Sequence, residues 1–418
     1  MALAVTMTSR SIELIFFDAG GGHRAAAEAL KQVLADKHPD WQVKTVDLQE
    51  VLKSADPLFI LTGVPSQNFY NAALKVGLTY GSRGFLRGLQ TIIKICAPRM
   101  EEVLRHYWSA ETGAPLNAVI SLIPNFNAVM FRALRAARPA VPFVTIMTDM
   151  ADSPPHFWQE KQDQHIICGT AYAAMQARAT GWYRPERIFE TSGMIVRPSF
   201  YQQPPAPRLT REMLGLAHDK PTALITFGGY GSSLSEDIVD RLNKAKLGVQ
   251  TIVLCGRNEK LRADLQGKKG CSAVGFTSDV ADYMRLCDFF IGKPGPGSLS
   301  EAWLMGLPVI VERNARTMIQ ERPNTLLVKT LGTGISITSF RTIAKTVRTL
   351  ITSGQLDKMR KNVQQLNNQA IFEIPNILDF IMSQPYPGSR PAGLKAPRKL
   401  TRMAKKWGRK RQKKKAID

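Results

Sequence analysis

The chain has 418 residues, 44% hydrophobic and 22% charged, with a formal net charge of +22. That length and apolar content exclude general disorder and predict two domains, each able to bury its own core. No apolar run approaches the roughly 18–20 residues that span a bilayer, and no secretory signal is expected at the N-terminus. The five cysteines form no CxxC pair, which argues for a reducing compartment without a zinc site.

In chain order, Ile12–Phe17 reads as a buried strand. It ends in Asp18-Ala19-Gly20-Gly21-Gly22 and runs into the helix former that starts at His23. Val43–Val46, Ala118–Ser121, Phe143–Met147, Ile166–Cys168 and Ile188–Thr191 are further short strands. The segment Arg197–Thr210, rich in Pro and polar residues, reads as a linker. The pattern then restarts with Thr222–Phe227 and the turn Gly228–Ser233. Gln250–Cys255, Ala273–Phe276, Phe289–Gly292 and Leu307–Val311 follow, and then a long helical stretch to about Gln384. Strands alternating with helices predict α/β domains with parallel sheets, and ligands in such sheets bind at the carboxyl ends of the strands.

Three glycine turns each join a strand to a helix. Glycine there permits positive φ and close backbone approach, and the helix N-terminus offers free N–H groups to an anion. One such turn is explained equally well by tight strand-to-helix packing. Three of them, spread over two halves, point to a phosphorylated ligand in a cleft between the halves. His23 follows the first turn, where a helix dipole keeps an imidazole neutral; it is either a proton acceptor or a simple cap. Glu301 follows the third turn and either complements the dipole or accepts ribose hydroxyls. Gln320 and Glu321 form a polar pair, suited to an exposed helix start or to reading sugar hydroxyls.

Charge is unevenly spread. From Lys395 to the end there are twelve Lys/Arg and one acid. Between Pro57 and Met100 lie Lys75, Arg83, Arg87, Lys94 and Arg99 with no Asp or Glu. Such patches attract polyanions, either nucleic acid or anionic headgroups. No RNA-binding aromatic motif or helix-turn-helix accompanies them. Leu400, Met403, Ala404 and Trp407 fall at helical spacing among basic residues, which favours a membrane surface over a plain solvated tail.

Taken together, the stretch Phe290–Ala302 (FIGKPGPGSLSEA), then Gly306–Ile310 and Gln320-Glu321, resembles the donor half of the family 28 lipid glycosyltransferases. The likeness is strongest to monogalactosyldiacylglycerol synthases and diacylglycerol glucosyltransferases. Asp18–Arg24, Thr148-Asp149 and Val196–Phe200 resemble further blocks of that family. The resemblance implies a GT-B fold, two Rossmann-like domains facing a cleft. Residues 1–203 would take the acceptor and the membrane, residues 204–385 the UDP-sugar, and 386–418 would form a basic tail. It implies inverting transfer of galactose or glucose from a UDP-hexose to diacylglycerol or a similar lipid, with no metal or other cofactor and no nucleic acid partner. His23 would be the base, with Asp149 a second candidate, and Gly21 and Gly22 the phosphate or acceptor turn. Gly229 and Ser232 would hold the diphosphate with Gly297 and Ser298, Phe276 would lie by the uracil, Glu301 would bind ribose, and Gln320 and Glu321 the hexose. Arg83, Arg87, Lys94 and Trp407 would meet an anionic membrane, peripherally and at the cytoplasmic face of the cell membrane. The chain departs from the family's usual His-Pro pair at Ile123-Pro124, and from Leu-Pro before Val196-Arg197-Pro198. A UDP-sugar epimerase of the same architecture is the alternative.

Overall fold

The computed structural model describes residues 9–18, 21–56, 59, 82–110, 115–203 and 205–384. The first sheet is built from β1 (Ser11–Phe16), β2 (Gln42–Asp47), β3 (Ala118–Ser121), β4 (Phe143–Ile146), β5 (His165–Cys168) and β6 (Ile188–Glu190). They are parallel, in the order β2-β1-β3-β4-β5-β6. The second sheet holds β7 (Thr222–Thr226), β8 (Gln250–Leu254), β9 (Cys271–Val274), β10 (Phe289–Gly292), β11 (Val309–Glu312) and β12 (Gly334–Ile337). These too are parallel, in the order β12-β11-β10-β7-β8-β9. Helices cover both sheets, so the inner strands β3, β4 and β10 are buried at every position. Burial on both faces is why they read as unbroken apolar runs.

The helices used below are α1 (Gly22–Lys37), α2 (Ser82–Ala110), α3 (Asn127–Ala137), α4 (Ala171–Thr180), α5 (Leu234–Lys244), α6 (Glu259–Leu265), α7 (Val280–Arg285), α8 (Pro296–Leu304), α9 (Arg322–Leu331), α10 (Ile343–Thr352), α11 (Gln355–Gln364) and α12 (Ala370–Ser383). The stretch after β11 is not helical throughout. Gly332, at φ 63°, ends α9, and β12 then pairs with β11 before α10 begins. The segment Arg197–Thr210 does run between the two sheets, but its start is packed and not free. Phe200 is buried, and Met194, Val196 and Phe200 pack in the core of the second sheet with Phe290 and Trp303. At the other end the chain returns: Ile371, Ile374, Leu378 and Ile381 of α12 pack with Leu14, Leu30 and Leu34 in the core of the first sheet.

In each sheet the strand order reverses between two adjacent strands, β1 and β3 in the first and β7 and β10 in the second. A crevice opens at such a point beyond the carboxyl ends. All three glycine turns leave from these strands, so the topology gathers them. No helix of the described residues is long and apolar enough to cross a membrane.

Candidate active site

After β1, Gly21 caps α1 in the left-handed region, φ 79°, a conformation that costs a side-chain-bearing residue but not glycine. A Cβ at Gly21 or Gly22 would meet nothing within 4 Å, so the turn is open on the cleft side. His23 is half-buried beside it. Its Nδ1 lies 3.0 Å from Oγ1 of Thr148, and its ring centroid is 6.0 Å from that of Trp158. Burial lowers its pKa from 6.5 to about 4, against a smaller opposing effect of a backbone hydrogen bond with Leu122. The imidazole is therefore neutral at physiological pH.

Trp158 joins this group to Asp149. Its Nε1 donates to Oδ2 of Asp149 at 2.8 Å, and Asp149 is buried. Burial pushes the Asp149 carboxyl up to about 7; the Trp158 hydrogen bond and Lys293 oppose this, while Glu321 and Asp152 add to it. Asp149, on the first half, thus senses Lys293 and Glu321 on the second.

The third turn is the most constrained. Pro296 stands at the first position of α8, with Gly295 as cap, a placement that Pro's fixed φ favours. The first backbone bond of α8 runs from Leu299 N to Gly295 O, which leaves the N–H groups of Gly297 and Ser298 available to an anion. Asn324 Nδ2 of α9 ties the turn by donating to the Pro294 carbonyl at 2.8 Å. Lys293 Nζ donates to Oε1 of Glu321 at 3.1 Å, and Glu321 in turn raises the Lys293 pKa. Glu321 is buried, as is Gln320, whose Oε1 has no hydrogen-bond partner. A buried, unpartnered carbonyl costs free energy until something donates to it.

The turn after β7 is shaped by the one after β8. Arg257 N donates to Gly229 O at 2.9 Å, and a Cβ at Gly256, φ 58°, would lie 2.3 Å from that same oxygen. Only glycine lets the two turns approach so closely. Beyond β9, Phe276 is 62% exposed, with the Arg257 guanidinium 4.9 Å from its ring centroid.

These groups share one cleft of about 1460 Å³ between the two sheets. Of the residues expected from sequence, His23, Asp149, Gly21 and Gly22 line it from the first half. Gly229, Phe276, Gly297, Ser298, Glu301, Gln320 and Glu321 line it from the second. Ser232 does not line the cleft. Its Oγ accepts from Leu234 N at 3.3 Å and secures the start of α5. Lys94 is exposed on α2, outside the cleft wall. Arg83 and Arg87 fall within α2, but their side chains are outside the described residues, as are Trp407 and the basic tail. What α2 gives the cleft is apolar: Ile92, Ile93, Ile95 and Met100. Sequence reasoning missed Lys293, Arg197 and Arg257 as cleft residues, and Trp158 as the buried partner of Asp149 behind the wall. Lys293 had a local signal, being a cation inside the proline–glycine turn. The others are brought in by loops whose course no spacing reveals. Among the described residues no group of three His, Cys, Asp or Glu converges as metal ligands.

Two parallel α/β sheets facing one another across such a cleft define a GT-B fold. Acinetobacter baumannii MurG shares it with a TM-score of 0.54 at 12% identity, covering 89% of this chain and 99% of that one. Phytolacca americana UGT2, solved with UDP-2fluoro-glucose and pterostilbene, gives a TM-score of 0.58 at 14% identity, over 90% of this chain and all of the other (100%). No family model matches the sequence. In sequence the chain is similar to the chloroplastic monogalactosyldiacylglycerol synthase of Spinacia oleracea, 28% identical over 396 residues, which is 90% of this chain and 73% of the relative.

Proposed function

We propose that the protein is an inverting glycosyltransferase that moves a hexose from a UDP-sugar to the hydroxyl of diacylglycerol or a similar lipid. The carrying observation is the convergence, on one cleft, of a neutral histidine from the first half and of glycine turns with a buried Gln320–Glu321 pair from the second. The name of the spinach relative favours galactose over glucose and diacylglycerol as acceptor.

In this reading the UDP diphosphate lies on the β7 turn and the N-terminus of α8, where the N–H groups of Gly229, Gly297 and Ser298 meet the charge that develops as UDP leaves. Lys293 adds a positive charge beside the turn. Phe276 lies by the base, Glu301 by the ribose, and Gln320 with Glu321 reads the hexose. The lipid hydroxyl enters along the apolar wall of α2 and attacks the anomeric carbon on the face opposite UDP. The new C–O bond forms as the C–O bond to the diphosphate breaks, and the hydroxyl proton passes to His23. The incoming diphosphate, being negative, raises the basicity of His23 at that moment. Asp149 holds Trp158 and with it the packing around the imidazole. Residues 1–203 take the acceptor and residues 204–385 the donor, with α12 packed back on the first half. The basic segment 386–418 holds the enzyme peripherally on an anionic surface, the cytoplasmic face of the cell membrane.

The test is a transfer assay with radiolabelled UDP-galactose and UDP-glucose and vesicles containing diacylglycerol. A labelled β-hexosyl lipid supports the reading. Conversion of the nucleotide sugar into an epimer without any acceptor would refute it.

A further inference from the structure

The segment that crosses from β6 to the second half carries a cation into the nucleotide end of the cleft. The Arg197 guanidinium makes three contacts there. Its Nη2 donates to Oε1 of Glu301 on α8 at 3.1 Å, and its Nη1 donates to the Ser278 carbonyl at 3.3 Å. Its central carbon lies 5.1 Å from the Phe200 ring centroid, and Phe200 is itself anchored in the second core. Glu301 and Ser278 both line the cleft, as does Arg197. Glu301 keeps one carboxylate oxygen, Oε2, outside this pairing.

We propose that Arg197 is a positioning residue for nucleotide recognition. It grips Glu301 by one oxygen so that the other faces the ribose diol, and it fixes the loop of Phe276 through Ser278. This rests on the donor site described above. A carboxylate free to rotate must be ordered when ligand binds, and that ordering subtracts from affinity. One held in advance by a planar, two-pronged donor does not. Lysine, a point charge, cannot hold the carboxylate and the carbonyl in that fork geometry.

The experiment measures calorimetric Kd values of UDP and 2′,3′-dideoxy-UDP for the full chain, Arg197→Ala, Arg197→Lys and Glu301→Gln, with thermal melts as a check on folding. The wild type should prefer UDP by about tenfold or more, the worth of a hydrogen bond to a charged group. In Arg197→Ala and Glu301→Gln the preference should fall toward parity, mainly through weaker UDP binding, with Arg197→Lys in between. An Arg197→Ala protein that keeps the wild-type ratio overturns the inference. So does an equal loss for both ligands, which would make Arg197 a phosphate contact or a scaffold. If Arg197→Ala does not fold, Arg197→Lys carries the same test. A wild type that binds UDP without preference overturns the role of Glu301 and Arg197 but leaves the donor site standing. A wild type that binds no UDP overturns both.

Discussion

Replacing Asp149 by Asn tests the electrostatics of the cleft directly. The wild-type carboxyl titrates near 7 rather than 3.8, chiefly because it is buried. Its neighbours are Trp158, which donates to it, Lys293, Glu321 and Asp152. Below the unfolded pKa, folded and unfolded chains both hold the proton, and the site exerts no pH-dependent effect. As pH rises toward 7, the unfolded chain releases the proton and the folded chain keeps it, so stability falls; above 7 the loss is complete. At roughly 1.4 kcal/mol per pH unit of displacement the loss reaches roughly 4 kcal/mol. Asn retains an oxygen to accept from Trp158 but does not titrate. The difference in unfolding free energy, Asn variant minus wild type, should therefore rise by roughly that amount between pH 4 and 8. Urea unfolding of both proteins across that range measures it, since the titrations they share cancel in the difference. Curves that stay parallel would show that Asp149 is ionised in the fold at all these pH values, and would refute the reasoning.

His23→Ala should lower lipid transfer by roughly 10²–10⁴-fold, the usual worth of general-base help, while calorimetry finds UDP binding nearly intact; wild-type turnover would remove His23 as base. Gly256→Ala places a Cβ 2.3 Å from the Gly229 carbonyl in a left-handed backbone, and should cost roughly 1–3 kcal/mol in a thermal melt and weaken UDP binding. Gly297→Ala, where a Cβ meets nothing within 4 Å, should melt like the wild type and raise only the donor KM. Deleting residues 395–418 removes twelve cations, each worth about 1 kcal/mol near an anionic surface. Sedimentation with anionic vesicles should show binding lost at physiological salt, with the circular dichroism of the core unchanged.

The sequence shows most of what burial decides and little of what pairing decides. Strands β1, β7 and β10 are mostly apolar and lead into glycine turns, and a signal summed over several buried residues survives in a single sequence. β12 escaped because it is an edge strand of four residues, Gly334–Ile337, only its two ends buried, set between two helices whose patterns run up to it. Glu301, Gln320 and Glu321 could be picked out as polar groups beside turns, but their partners could not. Lys293 and Glu321 are 28 residues apart, and Arg197 and Glu301 are 104 apart. Such pairs depend on which loops the two sheets bring together, and that is a property of the cleft.

The way the halves are joined explains why Arg197 stands where it does. The chain crosses between the sheets twice among the described residues, after β6 and again before α12, and the two crossings touch. Asn368 Nδ2 donates to Met194 O at 2.9 Å, and Gln369 N donates to Ser192 Oγ at 2.7 Å. A Cβ at Gly193 would lie 2.4 Å from Asn368 Cγ, so a side chain there would displace the Asn368 amide that bonds Met194 O. Elsewhere between the halves, Ser153 Oγ donates to Ile319 O at 3.2 Å, directly before Gln320 and Glu321. Any change in the angle between the sheets must be taken up at the paired crossings and felt at that second contact. Arg197 lies three residues beyond Met194 and holds Glu301, so the end of the cleft proposed for the nucleotide is built onto the joint itself. The end proposed for the hexose, Gln320 and Glu321, is built onto the contact that such a change in angle would make or break. On the proposed function, donor recognition and the approach of the two halves are then a single geometric event, which is what a transfer between a sugar held by one half and an acceptor held by the other demands.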